Sequence, residues 1–564
     1  MWRTRKFDQS VVVLGAGFAG IECARRLERL LAGRAGVHVA LVDRENHTVF
    51  QPLLPEVASA SIATHHVVNP VRMFAPRVDF DCAEVERIDL DARRIHFKSP
   101  EGLELLPMPF THLVIALGQV PNMSVVPGMA AHGLAMKTVG DAYHLRNHLI
   151  TCLEMAANTA DEAVRRELLT VVTVGAGFSG VETCAEVHDM LRAALRFYPE
   201  LRGAAVRSVL VSSTLRILPA LSPALSAYAL EKLRARGVEV LLERRVKSVT
   251  PRSCFLNDGS EMPTRTVVST VGNSPHPVVA QSPLEKQRGQ LVADEHMRCK
   301  GYDNVWAIGD CALVVNAVDG KPCPPTAQFA VRQGRQCADN VVRALDGRAL
   351  VPFRFKQLGY LASLGHMSAV AEIGPLRLSG FVAWWMWRTI YLLKLPGWYR
   401  KLRVCLDWTI DLLFPRDICQ LEVARSENVG QQHYEAGQEI IRQGERGETF
   451  YSILRGEVDV VRDVDGAEER VARLGPGAYF GEDALLGDKP RSATVRAASP
   501  VDLLCLDRGN FRALTDNLRI LRDALERERM GRALPPASGA PRSDAPASDA
   551  PGAAEEPRPA APPT

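Results

Sequence analysis

Val11-Val-Val-Leu14-Gly15-Ala-Gly17-Phe-Ala-Gly20 is the stretch that decides the fold. Its four leading apolar residues, three of them β-branched, suit a strand buried on both faces of a parallel sheet. The glycines follow at once, and behind them Ile21, Ala24, Leu27 and Leu31 mark one face of a helix. In such a strand–loop–helix each glycine has its own task. Gly15 permits the tight turn, Gly17 lets the backbone approach a pyrophosphate, and Gly20 lets helix and strand pack closely. The helix N-terminus stabilises the anion. A second apolar strand, Val37 to Val42, ends in Asp43, whose carboxylate is placed to accept hydrogen bonds from a ribose diol. A glycine loop alone is weak evidence; here strand, helix, second strand and terminal acid agree.

The pattern recurs. Leu169 to Val174 reads as a strand, Gly175-Ala-Gly177-Phe-Ser-Gly180 as the loop, and Val181 to Leu195 as a helix. Two dinucleotide folds imply two dinucleotides, and hydride transfer from a nicotinamide to a flavin is the natural chemistry. The second copy lacks the acid: the strand Ser208 to Val211 runs into Ser212-Ser213. A serine does not repel the 2′-phosphate of NADPH, and Arg216 is close enough in sequence to pair with it. Ser212 could equally make a weaker ribose hydrogen bond and leave NADH as the donor. The expectation is NADH, with NADPH tolerated. Thr111-His-Leu-Val-Ile-Ala-Leu-Gly118 and Asn304-Val-Trp-Ala-Ile-Gly-Asp310 read as strands that complete the first fold, with Gly118 and Asp310 against FAD. The first nucleotide domain is therefore split, with the second inserted into it.

Composition bounds the rest. A chain of 564 residues exceeds one compact core. Its net charge of +3 is too small for a nucleic-acid binder. No apolar signal core precedes the first strand, and no apolar run is free enough of charge and proline to be a confident membrane span. The twelve cysteines form no C-x-x-C pair, so free thiols are expected and no metal-ligand set is read.

Longer motifs are more specific than the loops. Leu41-Val-Asp-Arg-Glu-Asn-His-Thr-Val-Phe-Gln-Pro-Leu-Leu54, Glu56-Val-Ala58, Leu145-Arg-Asn-His148, Gly180-Val-Glu182 and Pro325-Thr-Ala-Gln-Phe-Ala-Val-Arg-Gln-Gly334 resemble type II NADH dehydrogenase over residues 8 to 415. That resemblance implies an α/β flavoprotein with two Rossmann-like domains and FAD held without a covalent link. It implies NADH oxidation without proton pumping and reduction of a membrane quinone. It also implies a peripheral protein, placed at the cytoplasmic face of the cell membrane. Glu182 matches the family glutamate near the nicotinamide and flavin rings, and also suits a helix N-terminus. Gln328 matches a glutamine at the quinone end of the flavin. Two positions depart from the pattern: Pro55 stands where an aromatic is common, and Arg332 where a second glutamine is expected. A disulfide reductase would need a cysteine pair soon after Asp43, and residues 44 to 81 contain none. A sulfide:quinone oxidoreductase would need two redox cysteines, and Cys323 alone is suggestive.

Residues 380 to 414 hold Trp384, Trp385, Trp387, Trp398 and Trp408, five of the seven tryptophans, interleaved with Arg388, Lys394, Arg400, Lys401 and Arg403 and divided by Pro396-Gly397. That mix suits an interfacial helix on a membrane surface; packing on the flavin domain or at a homodimer interface is the other reading.

Near residue 425 something unrelated begins. Short strands between glycine turns, from Tyr434 to Leu474, suggest a β-roll. Phe480-Gly481-Glu482 and Pro490-Arg491-Ser492 resemble the cyclic-nucleotide-binding domain over residues 430 to 530. By that resemblance the backbone at Gly481 faces the cyclic phosphate, Glu482 takes the ribose hydroxyl and Arg491 pairs with the phosphate. Ser492 leaves cAMP and cGMP both open as the effector. The expected organisation is FAD domain 8–165 and 291–350, NAD(P)H domain 166–290, membrane- and quinone-side segment 351–420, cyclic-nucleotide domain 425–532, and a disordered Pro/Ala-rich tail 533–564. The alternatives are a sensor or scaffold with little turnover, and the sulfide:quinone reading.

Overall fold

A computed structural model describes residues 7–98, 105–420, 430–464, 467–487, 490–508 and 511. The strand Gln9–Leu14 lies in the middle of a five-stranded parallel sheet, in the order Val305–Ala307, His112–Ile115, Gln9–Leu14, Val37–Asp43, Asp79–Cys82. Val11 to Leu14 are wholly buried, as an unbroken apolar run requires. The helix Phe18–Leu30 behind the first loop packs along Ala327–Leu345. Gly334 permits that approach, because a Cβ there would stand 2.2 Å from the Ala19 carbonyl oxygen.

A second five-stranded parallel sheet repeats the plan, in the order Gly133–Ala135, Thr266–Ser269, Thr170–Val174, Arg207–Val211, Val238–Leu241. An antiparallel ribbon, Gln119–Pro121 with Asn273–Pro275, joins the two halves. The sequence reading divided them at residue 165, but the strand Gly133–Ala135 already belongs to the second sheet. That strand is three residues long and carries no apolar run to announce it.

After the helix Ala327–Leu345 the chain forms an antiparallel sheet of Tyr360–Ser363, Ala369–Ile373 and Leu376–Ser379. The helices Gly380–Lys394 and Trp398–Leu413 follow, broken at Pro396-Gly397 as expected. Among the described residues the C-terminal roll has two four-stranded antiparallel sheets. One holds Gly430–Tyr434, Val501–Asp507, Thr449–Arg455 and Tyr479–Phe480. The other holds Glu439–Ile441, Thr494–Ala497, Val458–Val464 and Ala467–Leu474. Tyr434, Ile453, Val458, Val495, Val501 and Leu503 fill the space between them. The tail beyond residue 533 lies outside the described residues.

Candidate functional site

The two loops have the same internal geometry. A Cβ on Gly15 would stand 2.4 Å from the Ala116 carbonyl oxygen, and one on Gly20 would stand 1.8 Å from the Gly15 oxygen. Gly17 has nothing within 4 Å of that position. Two glycines thus close the turn and the helix packing, while the third leaves the backbone open to a ligand. Gly175, Gly180 and Gly177 repeat these roles: a Cβ on Gly180 would lie 1.8 Å from the Gly175 oxygen, and Gly177 is open. Gly118, at a positive φ of 65°, likewise opens onto free space.

Asp43 closes onto the first loop. One carboxylate oxygen accepts the Ala16 N–H at 2.5 Å and the other the Glu45 N–H at 2.9 Å. Burial raises this carboxyl above its ordinary range, and those two hydrogen bonds oppose the rise. Each oxygen keeps a second acceptor position for a diol. Asp310 follows the short strand Val305–Ala307; burial raises its carboxyl too, and Lys137 pulls it back.

In the second domain the hydroxyl singled out from sequence is not the presented one. Ser212 is 2% exposed, and its Oγ is held by Thr214, whose N–H it accepts at 3.2 Å. Ser213 is the exposed hydroxyl at the strand end. Arg216 donates to the Pro219 carbonyl at 3.4 Å. Among the described residues, the position that Asp43 holds in the first domain is taken here by Ser212-Ser213.

Between the two domains and the C-terminal helices lies a cavity of about 760 Å³. Its wall includes Phe18, Phe50, Pro55, Asn69, Lys137, Phe178, Glu182, Thr326, Gln328, Arg332, Gln357, Tyr360, Tyr391 and Lys394. Phe178 and Tyr360 stack, with ring centroids 5.5 Å apart. Glu182, on the helix Phe178–Ala194, is 7% exposed; its Oε1 accepts the Ser363 N–H at 2.9 Å and the Trp387 Nε1–H at 3.1 Å. Burial pushes its carboxyl up to about 8 against those two donors. Gln328 lines the same cavity, but its amide is engaged. Nε2 donates to the Gly359 carbonyl at 2.8 Å and Oε1 accepts the Leu358 N–H at 3.3 Å. Gln328 therefore ties the 358–359 backbone to the cavity wall, with one N–H and one acceptor position of its amide left over.

Asn69 Nδ2, Thr326 Oγ1 and Gln357 Nε2, all on residues of this wall, are buried without a hydrogen-bond partner among the described residues. Buried polar atoms are expected to be satisfied, so these belong to a wall built for a ligand with polar edges. With the open Gly17 backbone and Asp43, the residues fit FAD: dinucleotide on the first loop, ring system in the cavity. Cys323 is buried, is not part of the cavity wall, and every cysteine among the described residues is a free thiol.

Behind Glu182 lies an ionic cluster that the sequence reading missed. Glu186, one turn along the helix, accepts from Ser59 Oγ at 3.1 Å and Arg416 Nη2 at 3.2 Å. Asp411 accepts Arg416 Nε at 2.9 Å and lies 3.9 Å from Arg388. Glu56 accepts the Trp408 indole N–H at 3.0 Å. Burial pushes Glu56 and Glu186 up, opposed chiefly by Arg388 and Arg416 respectively. The helix carrying Glu182 and Glu186 buries every residue from Gly180 to His188, so neither charge has an exposed face; its sequence, with Thr183, His188, Asp189 and Arg192 among the apolar residues, does not announce that burial.

The tryptophan-rich segment divides. Trp384, Trp387 and Trp408 face inward, and Arg388 lies between the rings of Trp384 and Trp408 at 4.0 and 4.9 Å. These four serve packing, contrary to the interfacial reading. Trp385 at 61% and Trp398 at 77% exposure face out, with Leu402, Leu406, Ile410 and Leu413 along one edge of the helix Trp398–Leu413. Leu393 and Pro396, at the end of the preceding helix and in the break between the two, line the cavity. No helix among the described residues is long and apolar enough to cross a membrane.

In the roll, Glu482 and Arg491 are both buried and close enough to interact, and Ser492 is exposed. Arg491 donates to the Gly481 carbonyl at 2.8 Å and to the Thr449 carbonyl at 2.7 Å. The roll docks on the second domain. The His433 N–H donates to His132 Nε2 at 2.9 Å, and Ser248 Oγ donates to Glu435 at 2.5 Å.

Residues 9–334 match the family described as pyridine nucleotide-disulphide oxidoreductase, 357–417 the NDH2 C-terminal domain, and 431–517 the cyclic nucleotide-binding domain. The chain is 30% identical to a probable NADH dehydrogenase of Dictyostelium discoideum over 73% of its own length and 91% of that protein. It is 32% identical to demethylphylloquinone reductase NdbB of Synechocystis over 71% of its own length and 95% of that protein. The solved structure of Plasmodium falciparum NDH2 in complex with NADH superposes with a TM-score of 0.67 at 18% identity, covering 74% of this chain and all of that one.

Proposed function

Because this chain belongs to the pyridine nucleotide-disulphide oxidoreductase family as a type II NADH dehydrogenase, we propose that it oxidises NADH on the second loop and reduces a quinone that enters the shared cavity from a membrane surface. The observation that carries this reading is a cavity bounded at once by both dinucleotide domains and by the C-terminal helices. A flavin bound there takes electrons from a nicotinamide and passes them to a second acceptor.

The chain's own residues set the conditions. Asp43 and the first loop hold the dinucleotide end of FAD. Glu182, protonated up to a pH of about 8, keeps a proton at Oε beside the rings, and Ser363 and Trp387 fix its position. Gln328 holds the loop 358–359 as the cavity wall. The outward Trp385, Trp398 and the leucine edge lie on the bilayer surface, with Arg400, Lys401 and Arg403 near the headgroups. Ser213 replaces Ser212 as the residue offered to the donor ribose, so NADH is the preferred donor and NADPH is not repelled. The measurement is kcat/KM for NADH and NADPH with a short-chain ubiquinone analogue: a preference for NADH is expected, and oxidation of neither would overturn the reading.

The roll adds a regulatory input. Glu482 and Arg491 supply the acceptor and the guanidinium that a ribose cyclic phosphate needs, and cAMP and cGMP are both candidates. Its docking on His132 and Ser248 is the contact through which a bound nucleotide would reach the second domain, and coupling requires that contact to differ between the ligand-free and ligand-bound states.

A further inference from the structure

Arg332 and Lys394 both line the cavity at its acceptor end. Arg332 lies on the helix Ala327–Leu345, half-buried, with its guanidinium 4.0 Å above the Phe355 ring and one N–H given to the Gln328 carbonyl at 3.0 Å. Lys394 ends the helix Gly380–Lys394 at the rim, exposed on one side. Arg335, one turn-fraction along, is answered by Glu22 at 2.8 Å. Arg332 and Lys394 have no carboxylate within ion-pair distance among the described residues; desolvation and then a neighbouring arginine depress each, Arg335 for Arg332 and Arg332 for Lys394. The acids on the wall offer them nothing: Glu22 is taken by Arg25 and Arg335, and Glu182 is neutral below about 8. Water still reaches both groups, so they stand without a carboxylate partner, but two like charges facing one cavity repel each other, and a ligand that brings the opposite charge relieves that repulsion.

We propose that Arg332 and Lys394 form an anion subsite that selects acceptors bearing an ionised ring hydroxyl over neutral ones of the same size. This rests on the reading of the cavity as the acceptor site. The guanidinium fork gives charge-assisted hydrogen bonds to an oxyanion, and the ring of Phe355 holds the fork in place. A neutral amide at position 332 would donate without favouring charge.

The test is binding, without turnover. The FAD-loaded protein is titrated with 2-hydroxy-1,4-naphthoquinone, a vinylogous acid ionised at neutral pH, and with its non-ionisable 2-methoxy analogue, following the flavin spectrum. The hydroxy compound is expected to bind at least about tenfold tighter, the scale of one hydrogen bond to a charged group. R332Q should bring that ratio near one, and R332K should restore part of it. K394M, at the exposed rim, should lower the ratio even where R332Q folds poorly. A ratio near one in the unaltered protein overturns the proposal. So does a ratio that R332Q and K394M leave unchanged, or R332Q shifting only the flavin midpoint potential, which would assign the charge to the cofactor. NADH-driven reduction of a neutral ubiquinone analogue is measured beside it. Loss of that activity in the unaltered protein bears on the acceptor site as a whole, and an equal affinity for the two ligands bears on this subsite alone.

Discussion

Gly17 and Gly177 have open space where a side chain would begin, and the glycines on either side of each do not. That division was legible in the spacing of the residues, because the strand and helix flanking each loop leave only one glycine free to meet a ligand. Asp43 was legible for the same reason. Ser212 was not: the strand-end position is right, but its hydroxyl turns back to Thr214 and Ser213 takes the surface. Gln328 was found by its motif, while its two hydrogen bonds to the 358–359 backbone depend on chain thirty residues away. Glu182 yields a sharp prediction. Its folded carboxyl titrates near 8 against an ordinary value of 4.5. The folded chain therefore keeps a proton that the unfolded chain releases, and stability falls as pH rises from 4.5 to 8. Glu182→Gln should gain in melting temperature over the unaltered protein between pH 5.5 and 8.5, a window set by that shift. A gain that stays flat with pH would mean the carboxyl is ionised throughout. The same variant should slow quinone-coupled turnover by about 100-fold, the scale of one positioned proton carrier.

At the scale of elements, the helices Gly380–Lys394 and Trp398–Leu413 carry two jobs that composition alone cannot separate. Trp384, Trp387 and Trp408 share their sequence neighbourhood with Trp385 and Trp398, yet Trp384 and Trp408 sandwich Arg388 and Trp387 donates to Glu182. Helical periodicity assigns faces only once one knows which face meets the core, and the core here includes Glu56 and Glu186 from distant segments. The outward residues define the membrane test. Trp385→Asp with Trp398→Asp should abolish flotation with anionic liposomes and leave NADH reduction of a soluble acceptor within about twofold, because surface changes of this kind usually move stability little. Unchanged flotation would assign that face to a protein partner or a second copy. Trp387→Phe should leave flotation intact and alter the Glu182 titration instead, since it removes one of the two donors on that carboxylate.

For the whole molecule, the joining of a dehydrogenase to a β-roll was plain from the change in pattern near residue 425, but the contact between them was not. His132 and His433 are 301 residues apart and neither belongs to a motif. Burial, then His433, drives the His132 imidazole down to about 4, so it is neutral at physiological pH and accepts the His433 N–H. Calorimetry with cAMP and cGMP should show one of them binding, and Arg491→Ala should remove the heat. No heat from either would leave the roll a scaffold. If binding is coupled to the enzyme, the ligand should change kcat/KM for NADH, and NADH should change the ligand's affinity by the same factor to the extent that both are binding equilibria.

The central claim is one cavity serving two half-reactions. An anaerobic stopped-flow experiment on the FAD-loaded protein tests it most directly. NADH should bleach the flavin absorbance, and a short-chain ubiquinone analogue added next should restore it within the same turnover time as steady-state oxidation. Flavin that NADH leaves oxidised, or that is reduced and then not reoxidised by any quinone, would contradict it.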